Sequence, residues 1–85
     1  MTPDELYATM AMKAPIKSPE EWADFIAMPP ALQEAEAALI KSAIFARDDG
    51  STVWADLLGV LGVAAAVTGD VVGVGSAVMF FRGLA

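Results

Sequence analysis

Hydrophobic and polar positions in the first half of the chain predict short helices separated by prolines. The run Thr2-Pro3-Asp4-Glu5 is a helix start, since Thr2 can accept a hydrogen bond from a free backbone N–H and Glu5 completes a capping box. The first helix is expected to extend to about Met12, because Pro15 cannot continue it. Its apolar side consists of Leu6, Tyr7 and Met10.

The same signals predict a second and a third helix. Ser18-Pro19-Glu20-Glu21 repeats the start signal, and Trp22, Phe25 and Ile26 follow at i, i+3 and i+4 on one face. Pro29 stops this helix, and Pro30 can open the next one, over residues 31–46. Apolar positions form one stripe along the third helix, and an amphipathic helix turns such a stripe towards the core. The stripe consists of Leu32, Ala35, Leu39, Ala43 and Ala46, widened by Ile40 and Ile44.

The last third of the chain, from Val53 to Phe81, has no proline and almost no charge. A turn precedes it, in which Gly50 suits a left-handed stop, and Ser51 or Thr52 can cap the next helix. Two interpretations compete: one long helix, continuous or kinked at Gly69-Asp70, or two short helices that turn there. We favour the long helix. The predicted fold class is all-α, with residues 1–50 as an acidic helical region and residues 51–85 as an apolar Gly/Ala-rich helical segment.

Small residues recur along the apolar segment in alternate steps of four and three, which is the a/d spacing of a heptad. On a continuous helix they form one groove, along which another helix can approach until the two backbones nearly touch. The expected partner is therefore a second copy of this chain, which makes a homo-oligomer. This small-residue seam consists of Ala55, Gly59, Gly62, Ala66, Gly69, Gly73 and Ser76.

Asp70 lies beside the small-residue seam, near the middle of the apolar segment. A continuous helix over residues 57–81 is long enough to cross a hydrocarbon core of ~30 Å. An aspartate at the centre of a bilayer costs about 2.5–3.5 kcal/mol, so the side chain would face a partner or water rather than lipid. Two roles stay open: a polar contact with a helix or pore, and an N-cap at a turn.

Composition excludes several classes of function. The chain has 85 residues, 56% of them hydrophobic, and a net charge of −6 with only five Lys and Arg. Sequence-specific nucleic-acid binding is not expected, because it needs cations that replace phosphate counterions. Without Cys or His, a zinc site would have to be all carboxylate, which zinc rarely accepts, and no nucleophile–base pair can be assembled. We therefore expect a non-enzyme without a metal or cofactor. A core this small usually needs support, which leaves oligomerisation or membrane burial.

The layout resembles small structural proteins of tailed-bacteriophage virions. An acidic helical front, SPEEWADFIAMPPALQEAE, is followed by a Gly/Ala/Val-rich tail, LLGVLGVAAAVTGDVVGVGSAV. The resemblance implies a multi-copy virion component that contacts other virion proteins and acts in genome ejection or membrane penetration. It supplies no catalytic or binding motif. Two alternatives stay open: a holin-like single-span protein of the bacterial inner membrane that forms a lesion or channel, and a soluble helical interaction module.

Overall fold

The computed structural model describes all 85 residues, and they form helices and no strand. The all-α class is therefore confirmed. The helices are α1 (Pro3–Lys13), α2 (Pro19–Ala27), α3 (Pro30–Phe45), α4 (Ser51–Leu61), α5 (Ala64–Thr68) and α6 (Val71–Leu84).

The predicted starts of the first two helices are confirmed, although only the second has the predicted capping box. Thr2 accepts a hydrogen bond from the Glu5 N–H at 3.2 Å. Ser18 and Glu21 form a complete capping box, in which each side chain accepts a hydrogen bond from the other residue's backbone N–H. These hydrogen bonds with Ser18 favour the ionised carboxylate and lower the pKa of Glu21. The front of the chain is thus folded by local signals that are legible in the sequence.

The prediction of one long C-terminal helix is wrong. The last helix has 14 residues, and two breaks divide the apolar segment into α4, α5 and α6. The first break is the turn formed by Gly62 and Val63, between α4 and α5. The second lies at Gly69-Asp70, where the less favoured interpretation placed a turn: Gly69 adopts the left-handed conformation at φ 71° and Asp70 caps α6. Both breaks allow the segment to fold back, so that α6 packs against α4.

The core of the molecule is a chain of aromatic rings that joins three helices. Phe25 of α2 lies 5.5 Å from Phe81 of α6, and Phe81 lies 5.3 Å from Trp54 of α4, measured between ring centroids. Trp22 meets Phe25 edge-on at 5.8 Å. Such tilted and edge-on pairs add to the free energy of burying the rings. The aromatic rings of Trp54 and Phe81 in the C-terminal third are therefore buried within the chain itself.

The folded chain exposes about as much surface to solvent as a typical monomer of its size. Its solvent-accessible surface is 4605 Å², and a folded protein of 8.8 kDa exposes about 4800 Å². Its radius of gyration, 11.4 Å, is also that of a compact chain, for which about 12 Å is expected. The chain is therefore as compact as a typical monomer, and its unusual feature is the composition of its surface.

A buried glutamine determines how α3 is rotated. Gln33 is fully buried, and its amide nitrogen donates to the carbonyls of Phe25 and Gly73 at 3.2 and 3.0 Å, with Ile26 at 3.4 Å. Its amide oxygen accepts a hydrogen bond from the Ser76 hydroxyl. Gly73 is needed here because a Cβ atom would overlap the Ile26 carbonyl oxygen. Gln33 thereby supplies a donor to the Ile26 carbonyl, which α2 leaves free, and a second donor to the Phe25 carbonyl, which already accepts the Met28 N–H.

The predicted inward stripe of α3 is consequently wrong. The buried residues of α3 are Gln33, Ala37, Ile40 and Ile44, whereas Leu32 and Leu39 are exposed. The two isoleucines do face the core, as residues expected to widen the stripe. Helix α3 has apolar residues on both sides, and hydrogen bonding by Gln33 decides which side is buried, because an unpaired amide inside the protein is costly.

A substitution in the turn before α4 tests whether its left-handed conformation requires glycine. Gly50 has φ 62°, and a Cβ atom there would overlap the Ile44 carbonyl oxygen. We expect Gly50→Ala to lower the free energy of unfolding by at least about 2 kcal/mol. The matched control is Gly59→Ala, inside α4 with open space around it, which should raise it by about 0.5–1 kcal/mol. Urea unfolding measures both, and equal effects would contradict the prediction.

Replacing Gln33 tests its control of the packing. Gln33→Met keeps the length of the side chain but removes its hydrogen bonds to three carbonyls and to the Ser76 hydroxyl, and it leaves the Ile26 carbonyl unpaired. We expect the free energy of unfolding to fall by about 2–3 kcal/mol. Ala35→Met places the same side chain on the exposed side of α3 and should change it by less than about 0.5 kcal/mol. A Gln33→Met variant as stable as the wild type in chemical denaturation would show that the hydrogen bonds do not matter.

Candidate interaction surface

The side of α3 that points away from the core is apolar along its length. Leu32, Ala35 and Leu39 follow at i, i+3 and i+7, so they lie on one face. The side chains of Leu32 and Leu39 are 61% and 64% exposed. Scattered exposed leucines are ordinary, but two on one helix face, with alanines between them, form a continuous apolar surface.

The side of α6 that points away from the core is also apolar. Val72, Gly75, Met79 and Gly83 follow in steps of three, four and four, and all four are exposed. Val72 is 75% and Met79 63% exposed. No atom lies within 4 Å of a Cβ built at Gly75 or Gly83, so Met79 projects between two gaps, one helical turn on either side.

A groove between α3 and α6 joins these two helix faces. It has a volume of about 300 Å³ and is lined by Glu34, Ala38, Met79, Phe80, Gly83 and Leu84. The two helices are joined near both ends, by Gln33 with Gly73 at one end and by Lys41 with Leu84 at the other. We call the combined surface the outer apolar face; it consists of Leu32, Ala35, Ala38 and Leu39 of α3 and Val72, Gly75, Met79, Phe80 and Gly83 of α6.

Two unpaired charges flank α6 on this surface. Glu34 lies in the groove, and Arg82 is exposed beyond Met79. The chain has two ion pairs, Lys13–Asp56 at 3.6 Å and Lys17–Glu36 at 2.7 Å, so neither Glu34 nor Arg82 is paired. Each is therefore available to a charged group outside the chain.

Lys41, at the end of the groove, already has interaction partners within the chain. Its ammonium group donates to the Leu84 carbonyl, one of the free acceptors at the end of α6. It also lies 5.7 Å from the Phe45 ring and 5.8 Å from the Trp54 ring, which is cation–π distance. Lys41 thus stabilises the end of α6 and holds it parallel to α3.

The structure does not bring the small-residue seam together as one groove. Ala55, Gly59 and Gly62 lie on the exposed side of α4, and Ala66 and Gly69 are exposed beyond the first break. Gly73 and Ser76 are turned towards Gln33 and are partly buried. The seam needed a continuous helix to form one groove, and two breaks interrupt that helix. Association through the seam stays a prediction.

Asp70 has the second of its two predicted roles. Its carboxylate accepts a hydrogen bond from the Gly73 N–H at 2.7 Å and so caps α6. Asp70 also lies close enough to Tyr7 to affect it: partial burial, and then the negative charges of Asp70 and Asp4, raise the pKa of Tyr7. The residue is exposed, and its local hydrogen bond accounts for its place in an apolar stretch.

Sequence reasoning found half of the outer apolar face but misplaced it. Leu32, Ala35 and Leu39 were in the predicted stripe and belong to the surface rather than to the core. The α6 half was missed, because its residues were interpreted relative to the small-residue seam. The signal that could have found it was available: an α6 that starts at Asp70 places Val72, Gly75, Met79 and Gly83 on one face at helical spacing.

No three metal-ligating side chains lie close enough together to hold a metal ion. None of the six helices combines the length and the hydrophobicity that crossing a bilayer requires. Comparison with family models, with curated proteins and with solved structures finds no match. The fold and this surface define the class of protein: a small six-helix domain with an exposed apolar face on a rigid helix pair.

Proposed function

We propose that this protein is a non-enzymatic structural component of a phage virion that assembles in several copies. The single observation that carries the assembly is the outer apolar face. Placement in a virion, together with a role in genome ejection or membrane penetration, rests on the resemblance in layout. The occupant we assign to the outer apolar face is a second copy of this chain.

Exposure of this face is costly unless something covers it. Contiguous apolar patches on small proteins mark interaction sites, and the face of a helix pair suits a helix of a partner. Glu34 is the one charged residue that lines its groove, although the chain as a whole has a net charge of −6. Contact at this face therefore lets two acidic copies approach while most of their acidic groups remain at a distance and in water.

The shape of the face favours a copy of the same chain. Met79 supplies a projecting side chain, and Gly75 and Gly83 supply gaps on the same helix. A surface that carries both features can be complementary to itself, as a two-fold symmetric contact requires. The unpaired Glu34 and Arg82 add opposite charges to the same surface, so a second copy satisfies the charge as well as the shape.

Substituting Met79 tests whether the outer apolar face holds copies together. We expect the wild type to form a defined oligomer at about 100 μM, and Met79→Glu to shift it to the monomer, because two carboxylates would be buried per contact. Met12→Glu is the matched control, since Met12 is an exposed methionine on α1 outside the face. Analytical ultracentrifugation measures the mass. A monomeric wild type, or equal association of both variants, would contradict the assembly.

Purified particles test the placement in a virion. Phage particles banded on a density gradient should contain this chain in several copies, quantified by mass spectrometry against a labelled standard. A known non-structural protein of the same phage serves as the control for contamination. Recovery of the chain in the host membrane or the lysate, with none in the particles, would overturn the virion assignment and leave the assembly result intact.

A further inference from the structure

We infer that Met79 is an oxidation site that controls the proposed assembly: conversion of its thioether to a sulfoxide by peroxide separates the copies. The inference rests on the proposed function, because it requires that copies of the chain meet at the outer apolar face. It follows from where the structure places the sulfur atoms of the chain.

All the sulfur of this chain is in methionine. The chain has five methionines and no cysteine, so a mild oxidant has no thiol to consume before it reaches a thioether. Met10 is fully buried, and Met28 is partly buried against the core. Met1, Met12 and Met79 are 66%, 80% and 63% exposed. Peroxide in solution therefore meets these three methionines first.

Of the three exposed methionines, only Met79 belongs to the outer apolar face. It projects between Gly75 and Gly83, where a built Cβ meets no atom within 4 Å, so the free chain leaves its side chain open on both sides. Met12 lies on α1, and Met1 precedes that helix. Oxidation of either adds a polar group outside the outer apolar face.

The chemical step is a two-electron oxidation of the Met79 sulfur atom. A lone pair of the thioether attacks one oxygen of hydrogen peroxide, the O–O bond breaks and an S–O bond forms. The released hydroxide takes the proton of the transferred hydroxyl, so the products are methionine sulfoxide and water. Methionine sulfoxide reductases reverse the step: a dithiol supplies two electrons, becomes a disulfide, and the oxygen leaves as water.

Oxidation changes an apolar side chain of the contact into a polar one. Water hydrates the sulfoxide oxygen in the free chain, and pairing would remove that water from two sulfoxides per contact, one on each copy. Because burial of a polar group without a partner is costly, oxidation of Met79 should raise the dissociation constant at least about tenfold.

Assembly in turn protects Met79 from oxidation. A contact at the outer apolar face covers the side chain that the free chain exposes, so peroxide reacts with the dissociated chain. The sulfoxide that forms there then opposes reassociation. Oxidation therefore draws copies out of the assembly, and reduction of the sulfoxide returns them.

Sedimentation equilibrium before and after treatment with hydrogen peroxide tests the control of assembly, with peptide mass spectrometry to quantify the sulfoxide at each methionine. Oxidation should raise the dissociation constant of the wild type at least about tenfold, and reductases for both sulfoxide epimers should restore it. Met79→Leu and Met12→Leu are the matched variants, each compared with its own untreated sample. Peroxide should leave the dissociation constant of Met79→Leu unchanged and should still raise that of Met12→Leu.

The rate of oxidation tests the protection. At a fixed excess of peroxide, the rate constant for oxidation of Met79 should fall as the protein concentration rises through the dissociation constant. The rate constant for Met12, outside the contact, should stay the same. This measurement uses the wild type alone, so it does not depend on how either variant associates.

The outcomes separate the inference from the proposed function. Dissociation of the oxidised wild type and Met12→Leu but not of Met79→Leu, with protection of Met79 at high concentration, supports the oxidation site. An oxidised wild type that associates as before, or an equal effect of peroxide on Met79→Leu, overturns the site while the assembly stands. A monomeric wild type overturns the proposed assembly and the inference together.

Discussion

The amide of Gln33 is the contact on which the rest of this structure depends. It lies where α2 ends and α6 begins, and it reaches the carbonyls of both helices from α3. Three helices therefore meet at one polar group inside an apolar core. Few arrangements of the helices give a buried amide all its hydrogen-bond partners. Each donor or acceptor left unpaired costs more free energy than a lost apolar contact. That requirement makes the arrangement of α2, α3 and α6 specific, whereas apolar packing alone would tolerate several.

The rotation of α3 follows directly, and with it the character of the surface. Once Gln33 points inward, Ile40 and Ile44 complete the core and Leu32 and Leu39 point out. At the other end, Lys41 binds the last turn of α6 and keeps it level with α3. The two helices are held together at both ends, so the groove between them is a rigid feature, and a rigid apolar face loses little conformational freedom when a partner covers it.

The aromatic rings explain how so small a chain can stay folded while its outer apolar face remains exposed. Trp22, Phe25, Phe81 and Trp54 contact one another in series and bury a large apolar area per residue. Because these rings and the isoleucines fill the interior, the leucines of α3 and Met79 of α6 have no room inside. Their exposure is a consequence of a core that is already full, and it leaves them available for contact between copies.

Local chemistry in the sequence determined the helices at the front of the chain, their caps, and the turn at Gly69-Asp70. These features depend on neighbours within four residues, such as Ser18 with Glu21 or Asp70 with Gly73. Their signals can therefore be found in the sequence without knowledge of the fold. Which face of each helix is buried was decided by the tertiary structure. Helix α3 has two apolar sides, and the C-terminal third is apolar all round. Hydrophobic periodicity alone therefore could not predict which face of these helices is buried. Contacts across 40 residues, from Gln33 to Gly73, made that choice, because only the folded chain brings a donor and its acceptors together.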